Sequence, residues 1–380
     1  MAVKLPIYLD YQATTPIDQR VLEAMMPYLT THFGNPHSSE HSFGWQTEAV
    51  VEIARKQVAE LIGAHESEII FTSGATESNN IAIKGTAYGA YPKRNHIITV
   101  KTEHECLLAS ANSLESSGFD VTYLSISDEG LIDLKELEFV ISDKTSLVSV
   151  MAVNNEIGTI QNLQRIGEIC LSKNVLFHSD AAQAVGKIPL DVDKMNIDIM
   201  SISGHKIYGP KGIGALYVRK GTRVIPLFDG GGQEKGLRSG TLSPALCAGI
   251  GKACELAGQD MQKDQAHVDE LSSLLIDKLS SGLDNASING GIGKRYFGNL
   301  NLKFSGVKSD LLVADLKDIA ISTGSACSSA KARSSYVLSA LGLSENEIAS
   351  SVRIGIGRMT TVEEIEYAAD HIIKCVKNLL

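Results

Sequence analysis

The stretch VLFHSDAAQAVGKIPLDVDKMNIDIMSISGHKIYGPKG, from Val175 to Gly212, decides the fold. It holds two short apolar runs, Val175–His178 and Ile197–Ile202, and each leads into polar groups. The first ends in Asp180 with Gln183 just beyond. The second ends in Ser203-Gly-His205-Lys206. β-rich runs of this length, bounded by turn residues, read as buried strands. Working outward, similar runs occur at Ile69–Phe71, His96–Val100, Val121–Ile126, Leu147–Val153 and Gly214–Val218. Between some of them lie helical patterns. Val50, Ile53, Ala54, Val58 and Leu61 recur at helical spacing before a stop at Gly63, and Asn162–Lys173 is a second case. Strand–helix alternation predicts an α/β protein with a mostly parallel sheet covered on both faces.

The pattern changes after a Gly-rich stretch from Asp229 to Thr241. Helices are expected over 244–258 and 266–280, with a domain change near 255–265. A strand-like Asn299–Phe304 follows, then a Gly/Ser/Ala-rich segment at 322–330. The last helix is marked by a capping box, Thr361 with Glu364, and by a stripe from Ile365 to Leu380.

Ligands of parallel α/β sheets bind at the carboxyl ends of strands, so Asp180, Gln183, Ser203, His205 and Lys206 are expected to face one crevice. An acid and a lysine at neighbouring strand ends match the needs of pyridoxal 5′-phosphate. The lysine joins its aldehyde as a Schiff base, and the carboxylate keeps the pyridine nitrogen protonated. The segment Ile69-Ile-Phe-Thr-Ser-Gly-Ala-Thr-Glu77 supplies a phosphate cradle: strand, small-residue turn, helix start. Alone, such a turn is more often a plain helix cap, and a strand-terminal Asp or Lys a solvated charge. The three together, in this order, favour the cofactor.

Composition removes other classes. The chain has 380 residues, 43% hydrophobic and 21% charged, which reads as an ordinary soluble globular protein. A net charge of −9 argues against nucleic acid or an anionic membrane as partner. No apolar run approaches the roughly 20 residues of a membrane span, and the N-terminus does not read as a signal peptide. The six cysteines form no C-x-x-C pair, so neither a metal site nor a disulfide framework is expected. Cys106, Cys170, Cys247, Cys254 and Cys375 read as packing residues. There is no G-x-G-x-x-G and no P-loop.

Nine segments carry a family resemblance: Leu9–Pro16 (LDYQATTP), Gly34–Ser39 (GNPHSS), Thr72–Ser78 (TSGATES), Thr102–His104 (TEH), Val153–Gly158 (VNNEIG), Asp180–Gln183 (DAAQ), Ser203–Gly212 (SGHKIYGPKG), Arg238–Thr241 (RSGT) and Gly324–Cys327 (GSAC). In this order and nearly end to end, the chain resembles pyridoxal-phosphate-dependent cysteine desulfurases of the housekeeping iron–sulfur-cluster (NifS/IscS-like) branch. The resemblance implies the fold type I, aspartate-aminotransferase-like architecture and a homodimer. Residues 15–260 are expected to form a large cofactor-binding domain. Residues 1–14 and 261–380 are expected to form a smaller domain carrying a mobile cysteine loop at about 322–335. Class V aminotransferases and selenocysteine lyases of the same fold are the nearest alternatives.

By matched position, the resemblance makes Lys206 the lysine that holds the cofactor and Asp180 its pyridinium partner. Gln183 and Asn155 fall near the phenolate oxygen, and His104 is the imidazole stacked on the ring. Ala75, Thr76, Ser203 and His205 are phosphate ligands, and Thr241 is one donated by the other subunit. Cys327 becomes the nucleophile that accepts sulfur as a persulfide. Its small, polar surroundings suit an exposed thiol. Arg353 lies opposite Val352 and Ile354 in strand period and, with Asn155, is the candidate for the substrate carboxylate; a surface arginine is the alternative. The implied partners are L-cysteine, an iron–sulfur scaffold protein and other sulfur acceptors, in a cytoplasmic, bacterial-type setting. Two departures from the pattern are Ser334, where proline is usual, and Ser179, where an apolar residue is usual.

Overall fold

Burial follows the alternation of the sequence. The computed structural model describes residues 3–323 and 334–380. Its strands are β1 (Ile7–Tyr8), β2 (Ile69–Thr72), β3 (His96–Val100), β4 (Asp120–Leu124), β5 (Thr145–Ser149), β6 (Leu176–Asp180), β7 (Ile199–Ser203), β8 (Gly214–Val218), β9 (Ala286–Ile288), β10 (Asn299–Phe304), β11 (Ile319–Ala320) and β12 (Ser351–Gly355). Seven of them form one sheet in the order β2-β8-β7-β6-β5-β3-β4. Only β8 runs against its neighbours; the other contacts, from β7 across to β4, are parallel. Reversal at β8 restores β2 to the common direction. The ends of β2, β6 and β7 therefore lie on one edge of the sheet, where a ligand is expected. β5 and β7 are buried throughout, as a sheet covered on both faces requires. Among the described residues no helix is long and apolar enough to cross a membrane.

A second, antiparallel sheet has the order β12-β10-β9. Its core gathers Leu300, Leu302, Val352, Ile354, Ile365 and Ile372, with Ile7 and Leu9 from the start of the chain. The larger core packs around the first sheet. One helix, Pro244–Gly282, serves both: Cys247, Ile250 and Cys254 enter the first core, Val268, Leu271 and Leu275 the second. The helices expected over 244–258 and 266–280 are therefore one continuous helix, which passes from the first core to the second between Leu256 and Val268. The polar run Gln259–Gln265 contains good helix formers and no proline, so solvation of that face leaves the backbone ladder intact. The expected cap at the final helix is present. Thr361 Oγ1 accepts from the Glu364 N–H, and the Glu364 carboxylate accepts from the Thr361 N–H. Two expected strands end early: β4 at Leu124, before Ile126, and β5 at Ser149, before Val153, although Val150 and Ala152 still donate to the His178 and Asp180 carbonyls.

Candidate active site

The sheet edge opens into a cavity of about 480 Å³. Ala75, Thr76, His104, Asn155, Asp180, Gln183, Ser203, His205, Lys206 and Arg353 all line it. Thr241 is exposed and lies outside that lining. Cys327 lies outside the described residues.

At one end, β2 runs into Ser73-Gly74 and the helix that starts at Ala75. Gly74 has φ of +148°, a region that side chains avoid. A Cβ on Gly214, at the start of β8, would lie 2.6 Å from the Gly74 Cα, so glycine is needed for this close approach. Glu77 ties the turn down: its Oε2 accepts from the Ser73 N–H at 2.6 Å, and it pairs with Arg238 at 2.8 Å. Ser203 and His205 face the same cavity from the end of β7. His205 is pushed down to about 4 by burial, and further by the charges of Lys206, Lys211 and Lys187, so it is neutral at neutral pH. Its Nδ1 lies 3.1 Å from the Thr14 hydroxyl. Lys206 follows on a single turn of 3₁₀ helix, and its Nζ donates to the carbonyls of Gln12 and, at 2.7 Å, Ala13.

The other end is acidic. Asp180, the last residue of β6, is buried, and it accepts from Asn79 Nδ2 at 2.6 Å and from the Ala182 N–H at 2.9 Å. Behind it Glu103 is fully buried, and burial, then the charge of Asp180, raises its carboxyl well above the usual range. His104 caps the helix Glu105–Glu115 with its Nδ1, which accepts from the Cys106 N–H at 3.3 Å. Cys106 Sγ lies 3.1 Å from the same nitrogen. Arg353, on β12, is only 2% exposed. It donates to Asp10 Oδ1 at 2.8 Å and to the Asn155 carbonyl at 3.0 Å. The expected strand face thus brings the guanidinium to the cavity as a buried group, not a surface one.

Several lining residues escaped the sequence reading. Gln12, Ala13 and Thr14 are supplied by the chain's beginning, and only their place in the matched segment Leu9–Pro16 hinted at a role. Cys106 was expected to be packing, yet it lines the cavity. Its position in the first turn after His104 was the available signal. Cys170, Cys247, Cys254 and Cys375 are buried, as packing predicts.

The donor set fits a phosphorylated pyridine. Hydroxyls and helix-start N–H groups lie at one end, a carboxylate at the other, and a lysine between. The buried side-chain oxygens of Gln12 and Asn155, both lining the cavity, have no hydrogen-bond partner among the described residues. Buried acceptors without partners fit a site completed by a polar ligand.

The aminotransferase class V model matches residues 7–368. A mitochondrial cysteine desulfurase of Drosophila melanogaster is 58% identical over 376 residues, 98% of this chain and 81% of that protein. This chain belongs to the cysteine desulfurases of the class V aminotransferase family. Cysteine desulfurase IscS of Rickettsia bellii is 56% identical over 377 residues, covering 99% of this chain and 92% of its relative. A solved structure titled NifS-like protein superposes with a TM-score of 0.93 at 35% identity, covering 99% of this chain and all of the other. The family depends on pyridoxal 5′-phosphate, so the fold type I expectation and the cofactor expectation both hold for this desulfurase.

Proposed function

We propose that this desulfurase converts L-cysteine to L-alanine and hands the sulfur, through a persulfide on Cys327, to acceptor proteins. The observation that carries the reading is the convergence of Asp180, Lys206, His104 and Arg353 on one cavity. Bound there, pyridoxal 5′-phosphate supplies an electron sink for charge that develops at the substrate's Cα. The chain's own groups do the rest. Ala75, Thr76, Ser203 and His205, with Thr241 of a second subunit, hold the phosphate. Asp180 keeps the proton on the ring nitrogen. Arg353 and Asn155 orient the substrate carboxylate, Lys206 carries the Cα proton, and His104 donates and accepts protons beside the reacting sulfur. The Cys327 thiolate attacks that sulfur. An S–S bond forms as the C–S bond breaks, the electron pair stays with the carbon skeleton, and protonation there releases alanine. One cysteine and one thiol thus give one alanine and one persulfide.

The direct check incubates the cofactor-loaded protein with L-cysteine and a reductant, without any keto acid. Alanine and sulfide are expected in equal amounts. Alanine that forms only when a keto acid is added defeats the reading and favours an aminotransferase.

We also infer a homodimer. Phe43, Trp45 and Ile53 on the helix Ser42–Ile62, and Phe33 in the segment before it, are each more than half exposed. Exposed apolar groups of this size mark an interface. The double variant Phe33→Glu, Trp45→Glu is expected to run as a monomer in light scattering and to lose its cofactor on gel filtration, because Thr241 comes from the partner. A dimer that keeps its cofactor contradicts the inference. Residues 15–260 would act as the cofactor-binding unit, and 1–14 with 261–380 as the smaller one. The acceptors would include an iron–sulfur scaffold protein. A reducing compartment of the bacterial cytoplasmic type suits a reaction that begins with a free thiol.

A further inference from the structure

We propose that Lys187 is a positioning residue that locks the amide of Gln183, so that its second N–H faces the active-site cavity. The inference rests on the reading that this cavity holds pyridoxal 5′-phosphate.

Gln183 is buried and lines the cavity, whereas Lys187 does not. Lys187 lies one turn further along, in a small cleft behind Lys206 with Tyr208, Asp264, Tyr296 and Arg358. Its Nζ is 2.8 Å from Gln183 Oε1. At the other end of the same amide, Nε2 donates to the Gln12 carbonyl at 2.9 Å. A lysine nitrogen is a donor and a carbonyl oxygen an acceptor, so both ends require the same orientation. Turning the amide over would set NH₂ against the lysine and C=O against C=O, leaving buried polar groups unpaired. With one N–H spent on Gln12, the remaining N–H is directed to the cavity. The Gln12 carbonyl also accepts from Lys206 Nζ. Lys187, Gln183, Gln12 and Lys206 therefore form one hydrogen-bonded chain.

Lys187 is itself held. Its backbone carbonyl accepts from Gln265 Nε2 at 2.6 Å, and its Nζ lies 5.5 Å from the Tyr296 ring centroid. Among the described residues no carboxylate pairs with it. Burial, then the charges of Lys206 and Arg353, push Lys187 down to about 7. The ammonium form can only donate, whereas the neutral amine can also accept, so the lock is firmest while Lys187 is protonated.

The test reads the pH at which the visible absorbance of the bound cofactor changes. Lys187→Met removes the donor and is expected to raise that midpoint by about one unit, because a negative ring oxygen loses a fixed hydrogen bond. Lys187→Arg keeps a donor and is expected to stay near wild type. In a Gln183→Leu background, Lys187→Met is expected to add nothing, since it acts through the amide. Lys187→Leu carries the same comparison if the Met variant does not fold. An unchanged midpoint in a cofactor-loaded donor-free variant, or shifts that simply add in the double variant, overturns the proposal. A wild-type protein that binds no pyridoxal phosphate overturns the underlying reading instead.

Discussion

Substituting Lys206 by alanine lowers alanine release from L-cysteine by about 10²–10⁴-fold or more, the range lost with a positioned proton-transfer group. Lys206 ends the 3₁₀ turn after β7, and its Nζ is held against the carbonyls of Gln12 and Ala13 in the cavity wall. Alanine removes at once the covalent anchor of the cofactor and the amine that carries the Cα proton. Among the described residues Lys211 is the other lysine that lines the cavity. Lys187 lies behind the wall, locked to Gln183, and His205 is a neutral imidazole turned to Thr14. The fold should survive, because Lys206 contributes no apolar surface to either core. Stopped-flow alanine assays and the visible spectrum check this together. Turnover at about a tenth of the wild-type rate contradicts a proton-carrying Lys206.

Cys327→Ser abolishes persulfide formation while leaving the visible absorbance of the bound cofactor as in wild type. Serine's hydroxyl is not ionised at neutral pH, and the reaction needs a thiolate. The other cysteines are poor substitutes. Burial pushes Cys170, Cys247 and Cys254 up to about 12, and it raises Cys375 as well. A thiol near 12 is ionised in roughly one molecule in 10⁵ at pH 7. Cys106 is the serious rival, since it lines the cavity beside His104. Its Sγ, however, meets His104 Nδ1 at 3.1 Å and Asn79 Nδ2 at 3.3 Å, contacts that suit a residue orienting the imidazole. Mass spectrometry after one turnover therefore separates the two. Cys106→Ser is expected to retain the added sulfur and Cys327→Ser to lose it. The reverse pattern would move the nucleophile to Cys106.

Much of the site was legible because its chemistry sits at the ends of recognisable strands. Asp180 and Ser203 close β6 and β7, and the Ser73–Gly74 turn follows β2, where short apolar runs announced them. Strand ends were less legible. The apolar run from Leu147 to Val153 outlasts β5, which ends at Ser149, and Met151 and Val153 then line the cavity. Hydrophobicity reports burial, and a cavity wall is buried much as a strand is. The polar middle of Pro244–Gly282 misled in the opposite sense, since it reports only a solvated face of a continuous helix.

The sequence by itself determined the element order, the α/β class and the pairing of an acid, a lysine and a helix start that a phosphorylated pyridine requires. These are local patterns of 5 to 15 residues or so, set by backbone periodicity and capping. Only the tertiary structure decided what those groups touch. Asp10 meets Arg353 across 343 positions of chain, and the Gln12 carbonyl meets Lys206 across 194 and Gln183 across 171. Contacts of that range depend on how the two cores settle around a shared helix. No periodicity encodes them, because buried polar groups pair with whatever partner the packing brings within hydrogen-bond reach.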